Sequence, residues 1–154
     1  MIGNIGYERR LQALERRARE IGYGVPGLWS AWTPVLGQNG VVASTPDGAC
    51  RYCRIGNLVI ASFRIVATAS GDPNQIVNMA GLPAQFLHSG ARAVGSFTFY
   101  KSATNTFYDG SILPFGTTDL IFSVHGSTNY FGASPALTVQ NNDVMTGTFQ
   151  YEAA

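Results

Sequence analysis

The run NLVIASFRIVATA, residues 57–69, constrains this chain more than any other stretch. Val59, Ala61, Phe63, Ile65 and Ala67 fall on one side of an extended backbone, with Leu58, Ile60, Ser62, Arg64 and Val66 on the other, because successive strand side chains point to opposite faces. The first set predicts a core-facing surface. The mixed second set predicts a face partly covered by a neighbour. Turn chemistry punctuates the rest of the chain at Asn39-Gly40, Asp47-Gly48, Gly71-Asp72-Pro73 and Asp109-Gly110. Between these signals lie ACRYCRI, AVGSFTFYK, NTFY, SILPF, DLIFSVH and DVMTGTFQYEA, all rich in β-branched and aromatic residues. Six to eight short strands with no second helical pattern predict a mostly β fold, an antiparallel sandwich of jelly-roll type or a barrel. No repeat of fixed period redirects the reading to a solenoid or propeller.

Residues 8–22, ERRLQALERRAREIG, break this pattern, with eight charged residues in a chain that is 12% charged overall. With Leu11 at heptad position a, Leu14 falls at d, Ala18 at a, Ile21 at d and Tyr7 at the preceding d, the spacing of a coiled-coil seam. Arg10 then lies at g and Glu15 at the following e, and Glu15 with Arg19 and Arg16 with Glu20 stand four apart on one helix. An alternative is that this helix folds back on its own domain. Its terminal position, its narrow stripe and the GYGVPG hinge after it favour association between copies, since so short a helix is marginal alone. The expected organisation is therefore a helical attachment segment over 1–24 and a β head over 25–154. Gly22, Gly24 and Gly27 spell G-x-G-x-x-G, but a dinucleotide loop needs a strand before and a helix after, and here the order is reversed.

Charge separates the two parts. Residues 1–24 hold five Arg and three Glu, and residues 25–154 hold five Lys or Arg against six Asp or Glu, about −1. The head has no basic surplus for phosphate, so nucleic acid is not an expected partner. Charges from Glu8 onward interrupt the apolar stretch of roughly 7–15 residues that a secretory signal needs, and nothing approaches the roughly 20 apolar residues of a membrane span. The sequence reads as a soluble protein made in the cytoplasm, without membrane insertion.

The order of several segments is more specific than their composition. WSAWTPVL, then CRYCRIGNLVIASFRI, then MAGLPAQF and finally NNDVMTGTFQYEA resemble the small β-sandwich domain of bacteriophage fibre, spike and minor structural proteins. In that group a Trp-x-Pro-x-Leu strand precedes a Tyr-x-x-Ile-Gly-x-x-Val strand, a Leu-Pro turn follows, and the chain ends on a Gly-Thr-Tyr-like strand. The likeness spans most of residues 29–152. It departs at GTFQYEA, where Phe149 and Tyr151 are spread over what is often a compact Gly-x-Tyr.

The resemblance implies a homotrimer packed about an axis, which fits a parallel helical stalk seamed by Tyr7, Leu11, Leu14, Ala18 and Ile21. It implies a virion protein made in the host cytoplasm and joined to capsid, portal or tail through that helix. Two functions follow as expectations: a short fibre or spike head touching the host surface, or a capsid decoration protein that braces the shell.

Catalytic and metal-binding patterns are not expected. Cys50 and Cys53 form a C-x-x-C without a second ligand pair, and three positions apart on a strand they face opposite sides, so buried free thiols are expected over a metal, disulfide or redox pair. His88 and His125 lie beside glycine turns, and no G-x-S-x-G elbow accompanies them. Asp47, Asp72 and Asp109 adjoin Gly or Pro as turn formers, leaving Asp119 and Asp143 without an evident pairing for glycoside hydrolysis. No enzyme activity and no cofactor are expected. FTFYKSATNTFYDGS and STNYFGAS instead set aromatics among Asn, Ser and Thr. These rings either fill the core of a hairpin or form a sugar-binding surface, with Tyr100, Tyr108 and Tyr130 as the candidate ligand residues.

Overall fold

The computed structural model of the chain describes residues 12–13, 29–87, 92–127 and 129–154. Gln12 and Ala13 are exposed and helical. Tyr7, Leu11, Leu14, Ala18, Ile21 and His88 lie outside the described residues.

The described residues contain ten strands: β1 (Ser30–Ala31), β2 (Val35–Gln38), β3 (Ser44–Pro46), β4 (Arg51–Ile55), β5 (Leu58–Ala67), β6 (Val77–Ala80), β7 (Gly95–Lys101), β8 (Thr106–Phe115), β9 (Asp119–Val124) and β10 (Val144–Glu152). They form one sheet in the order β1-β4-β5-β10-β7-β8-β9-β6-β2, with β3 also paired to β5, and every pairing is antiparallel. The mostly β, antiparallel expectation holds.

The sheet is strongly curled, and connectivity requires it. Strands in a flat sheet lie about 4.8 Å apart, so β1 and β2, eight steps apart on the path, would be separated by roughly 38 Å. Yet only Trp32, Thr33 and Pro34 join them, and four residue steps span at most about 14 Å. The two borders therefore approach each other at that end, without pairing. Side-chain contacts give the same result: Phe63 on β5 and Phe122 on β9, four steps apart, bring their ring centroids to 6.4 Å across the interior. Trp32 closes the seam, with its ring 5.9 Å from Phe149 and its indole N–H donating to the Ser62 carbonyl at 3.1 Å.

The alternation in β5 sets the inside and outside of this half-barrel. Val59, Ala61, Phe63, Ile65 and Ala67 are all buried, while Leu58 is exposed and Ile60, Ser62, Arg64 and Val66 are half-buried. Phe97, Phe99, Phe122 and Phe131 interlock beside them at centroid distances of 4.9–5.6 Å, mostly edge to face, the arrangement that ring quadrupoles favour. Gly56, with φ of 59°, takes the first place in the two-residue β4–β5 turn, a conformation that a side chain there would oppose.

Asp109-Gly110 is not a turn. NTFY and SILPF, expected as separate strands, join as the single strand β8, and Gly110 lies in its middle. A Cβ there would meet the Ser123 carbonyl oxygen and the Phe97 ring, so the glycine is selected by close packing and not by turning. The short strands β1, β2, β3 and β6 lack a long alternating run; their pairing depends on neighbours distant in sequence.

Two polar groups buried within the fold hold its loops. Gln38 donates to the Gln75 and Leu137 carbonyls at 2.9 and 2.7 Å and accepts from the Val139 N–H at 2.9 Å. Lys101 donates to Asp143 at 2.9 Å, to the Thr138 carbonyl at 2.6 Å and to Gln140 at 2.8 Å. Asp143 also accepts from the Ser102 and Gln140 backbone N–H groups and the Ser102 hydroxyl. This pairing was not legible in the sequence, and it commits both Asp143 oxygens to the fold.

Candidate functional site

The outward face of β5, β10, β7 and β8 is organised by register into rows. Val66, Val144, Tyr100 and Phe107 stand opposite one another across the four strands. Two positions along comes a second row, Arg64, Thr146, Thr98 and Asp109, and two further on a third, Ser62, Thr148, Ser96 and Ser111, extended onto β9 by Ser123. Side chains within a row are about 4.8 Å apart and successive rows about 6.8 Å. The face is thus graded from apolar and aromatic at one end to hydroxyl-rich at the other.

Tyr100 and Phe107 form the aromatic end, with ring centroids 4.9 Å apart and planes inclined by 38°. Phe107 is 63% exposed, against the usual preference of a large apolar side chain. The Tyr100 hydroxyl donates to Asn105 at 3.2 Å, which ties the ring to the hairpin turn. A depression of about 330 Å³ opens beside the pair, lined by Arg64, Thr98, Tyr100, Phe107, Val144 and Thr146. It adjoins a second of about 360 Å³ that shares Arg64, Thr98 and Thr146 and continues over the hydroxyl row.

Tyr108, grouped with Tyr100 in the sequence, has the opposite orientation. Its register partner is Phe99, and it packs on the core against Phe99 and Phe131 at centroid distances of 6.3 and 5.7 Å. Lys101 pairs with Thr106 around a four-residue loop, so Tyr100 faces its partner Phe107 and not Tyr108. Phe107 is therefore the outward aromatic that sequence reasoning missed; its face is set by the hairpin register, which the polar turn does not reveal on its own. Tyr130 is 40% exposed in the segment after β9, beside the fully buried Phe131. No described contact joins it to the Tyr100–Phe107 pair.

Charges on the face are few. Arg64 pairs with Asp47, the two side chains being 42% and 56% exposed, and such surface pairs contribute roughly 0–1 kcal/mol. Asp109 accepts from the Thr98 hydroxyl at 2.5 Å, and its carbonyl accepts the His125 N–H at 3.1 Å. Elsewhere Cys50 and Cys53 are free and buried. Cys50, just before β4, packs in the main core cluster, and Cys53, within β4, is buried outside that cluster. Burial pushes the Cys50 thiol up, and the thiol donates to the Arg64 carbonyl at 3.3 Å. Among the described residues no three His, Cys, Asp or Glu side chains gather as a metal site would require, and no helix is long and apolar enough to cross a membrane.

No family model, curated protein or solved structure matches the chain. The face can stack a flat apolar ligand surface on Phe107 and Tyr100 while offering hydroxyl, carboxylate and guanidinium groups one row away.

Proposed function

We propose that this chain is a bacteriophage virion structural protein, the homotrimeric head of a short fibre or spike that is displayed on the particle and contacts the host surface. The observation that carries the reading is the open outer face of β5, β10, β7 and β8, where the exposed Phe107 and its partner Tyr100 border a field of Ser and Thr hydroxyls on a curled sheet. The opposed halves of that sheet serve as the two layers of a sandwich. The heptad seam of residues 1–24 supplies the stalk: parallel helices gather three heads and tie them to capsid, portal or tail.

Antibody labelling of purified particles, with the copy number measured by quantitative mass spectrometry, tests the assignment. About a dozen or fewer copies fit fibres, hundreds fit a capsid decoration protein, and absence from particles refutes both. Light scattering should give the mass of three chains for the intact protein. Deleting residues 1–24 should abolish trimerisation and incorporation; normal incorporation of that truncation overturns the role of the stalk.

A further inference from the structure

We propose that the depression beside Tyr100 and Phe107 is a carbohydrate subsite for a neutral pyranose. It rests on the reading of this face as the displayed binding surface, and it names the ligand class that the surface recognises.

The geometry sets three conditions on an occupant. It must bring an apolar face to two tilted rings, because Phe107 and Tyr100 form a platform held by cross-strand register and by the Tyr100–Asn105 hydrogen bond. It must also carry several donors and acceptors, because Thr98, Thr146, Asp109 and Arg64 stand one row from that platform. Finally it must be small, since a volume of about 330 Å³ lies at the lower end of the range for small-molecule sites. A pyranose meets all three: its axial C–H face stacks on a ring while its equatorial hydroxyls radiate towards the polar row. A protein partner fits less well, because serine and threonine rarely supply the binding energy of protein interfaces.

Charge selects among sugars. The second row and its ion-pair partner contain Arg64 against Asp47 and Asp109, one positive group against two negative. Asp47 already occupies the guanidinium. An anionic sugar would have to compete with Asp47 for the guanidinium and approach Asp109, whereas a neutral sugar can donate its hydroxyls to Asp109 and to the Thr146 oxygen, whose own proton is directed at the Thr98 carbonyl.

The test is a printed panel of neutral hexose and deoxyhexose oligosaccharides beside uronic-acid and sialic-acid oligosaccharides, probed with the intact chain. Binding to neutral members is expected, with Phe107→Ala weakening it about tenfold and Thr146→Val about fivefold. Phe115→Ala removes another exposed aromatic, eight positions along the same strand, and should leave binding unchanged. Melting temperatures of the three variants report that the fold is intact. No binding to any oligosaccharide, preference for the acidic members, or binding indifferent to Phe107→Ala in a folded variant overturns the subsite. Particle labelling separates the two readings. A labelled particle whose protein binds no sugar overturns the subsite alone, and sugar binding through Phe107 by a protein absent from particles supports the subsite while overturning the virion assignment.

Discussion

Replacing Lys101 with methionine is the most demanding test of how the head is held together. The side chain keeps nearly the same length but loses the ammonium that joins Asp143, the Thr138 carbonyl and Gln140. The side chains of Lys101 and Asp143 are only 10% and 0% exposed, so water cannot replace the lost partner. Removing one member of a buried pair costs about 3–5 kcal/mol, and Asp143 retains the Ser102 and Gln140 donors, which places the expected loss near 3 kcal/mol. With a urea slope of about 2 kcal/mol/M, the unfolding midpoint should fall by roughly 1.5 M. Hydrogen exchange should rise first over residues 137–143 and the adjacent 102–105 turn, which the ammonium joins. A midpoint shift under about 0.3 M would be the response of an exposed ion pair and would refute the burial argument.

Other expectations follow from single residues. Gly110→Ala forces a methyl group against the Ser123 carbonyl and the Phe97 ring and should lower stability by about 1–3 kcal/mol; an unchanged melting temperature would return Asp109-Gly110 to the role of a turn. Both thiols should react with a disulfide reagent slowly at pH 8 in the native protein and rapidly in denaturant, and fast native labelling of Cys50 would contradict its burial. Tyr151 is pushed above the ordinary tyrosine value chiefly by burial, and its hydroxyl donates to the Ala84 carbonyl at 2.8 Å and accepts from the Ala84 N–H at 3.2 Å. Because the folded state holds this proton more tightly than the unfolded chain, its contribution is complete below about pH 10 and disappears as pH rises through the folded value. Tyr151→Phe should flatten that alkaline limb in a urea titration series, and a limb of unchanged steepness would assign it elsewhere.

The inner face of β5 was readable from alternation alone, because five successive core positions leave no other period to fit. Turns at Asn39-Gly40 and Asp47-Gly48 were readable for a local reason: their backbones take positive φ at Asn39, Gly40 and Gly48. Gly110 was misread because glycine serves both turning and close approach, and only the neighbouring strand decides between them. Tyr108 was misplaced by one step of register, which reverses the face of a side chain. Gln38, Lys101 and Asp143 gave no sequence signal of burial, since their partners lie 37 or more residues away except for the local Gln140 contact. The candidate site was half visible: its aromatic composition was plain, but Phe107, Arg64 and Thr146 meet only through pairings between strands far apart in the chain.

The approach of β1 to β2 around Trp32 also limits how another chain could add to the sheet. A long unpaired border invites another chain to extend the ladder. Here β1 pairs with only Arg51 and Tyr52, and β2 is capped by its own continuation, with Val42 donating to Leu36 and Val41 bridged to Gly37. Each border thus offers a fresh strand only a short run of backbone. A second copy brought close would meet such a border through side chains more than through a continued ladder, and the two sheets would remain distinct bodies.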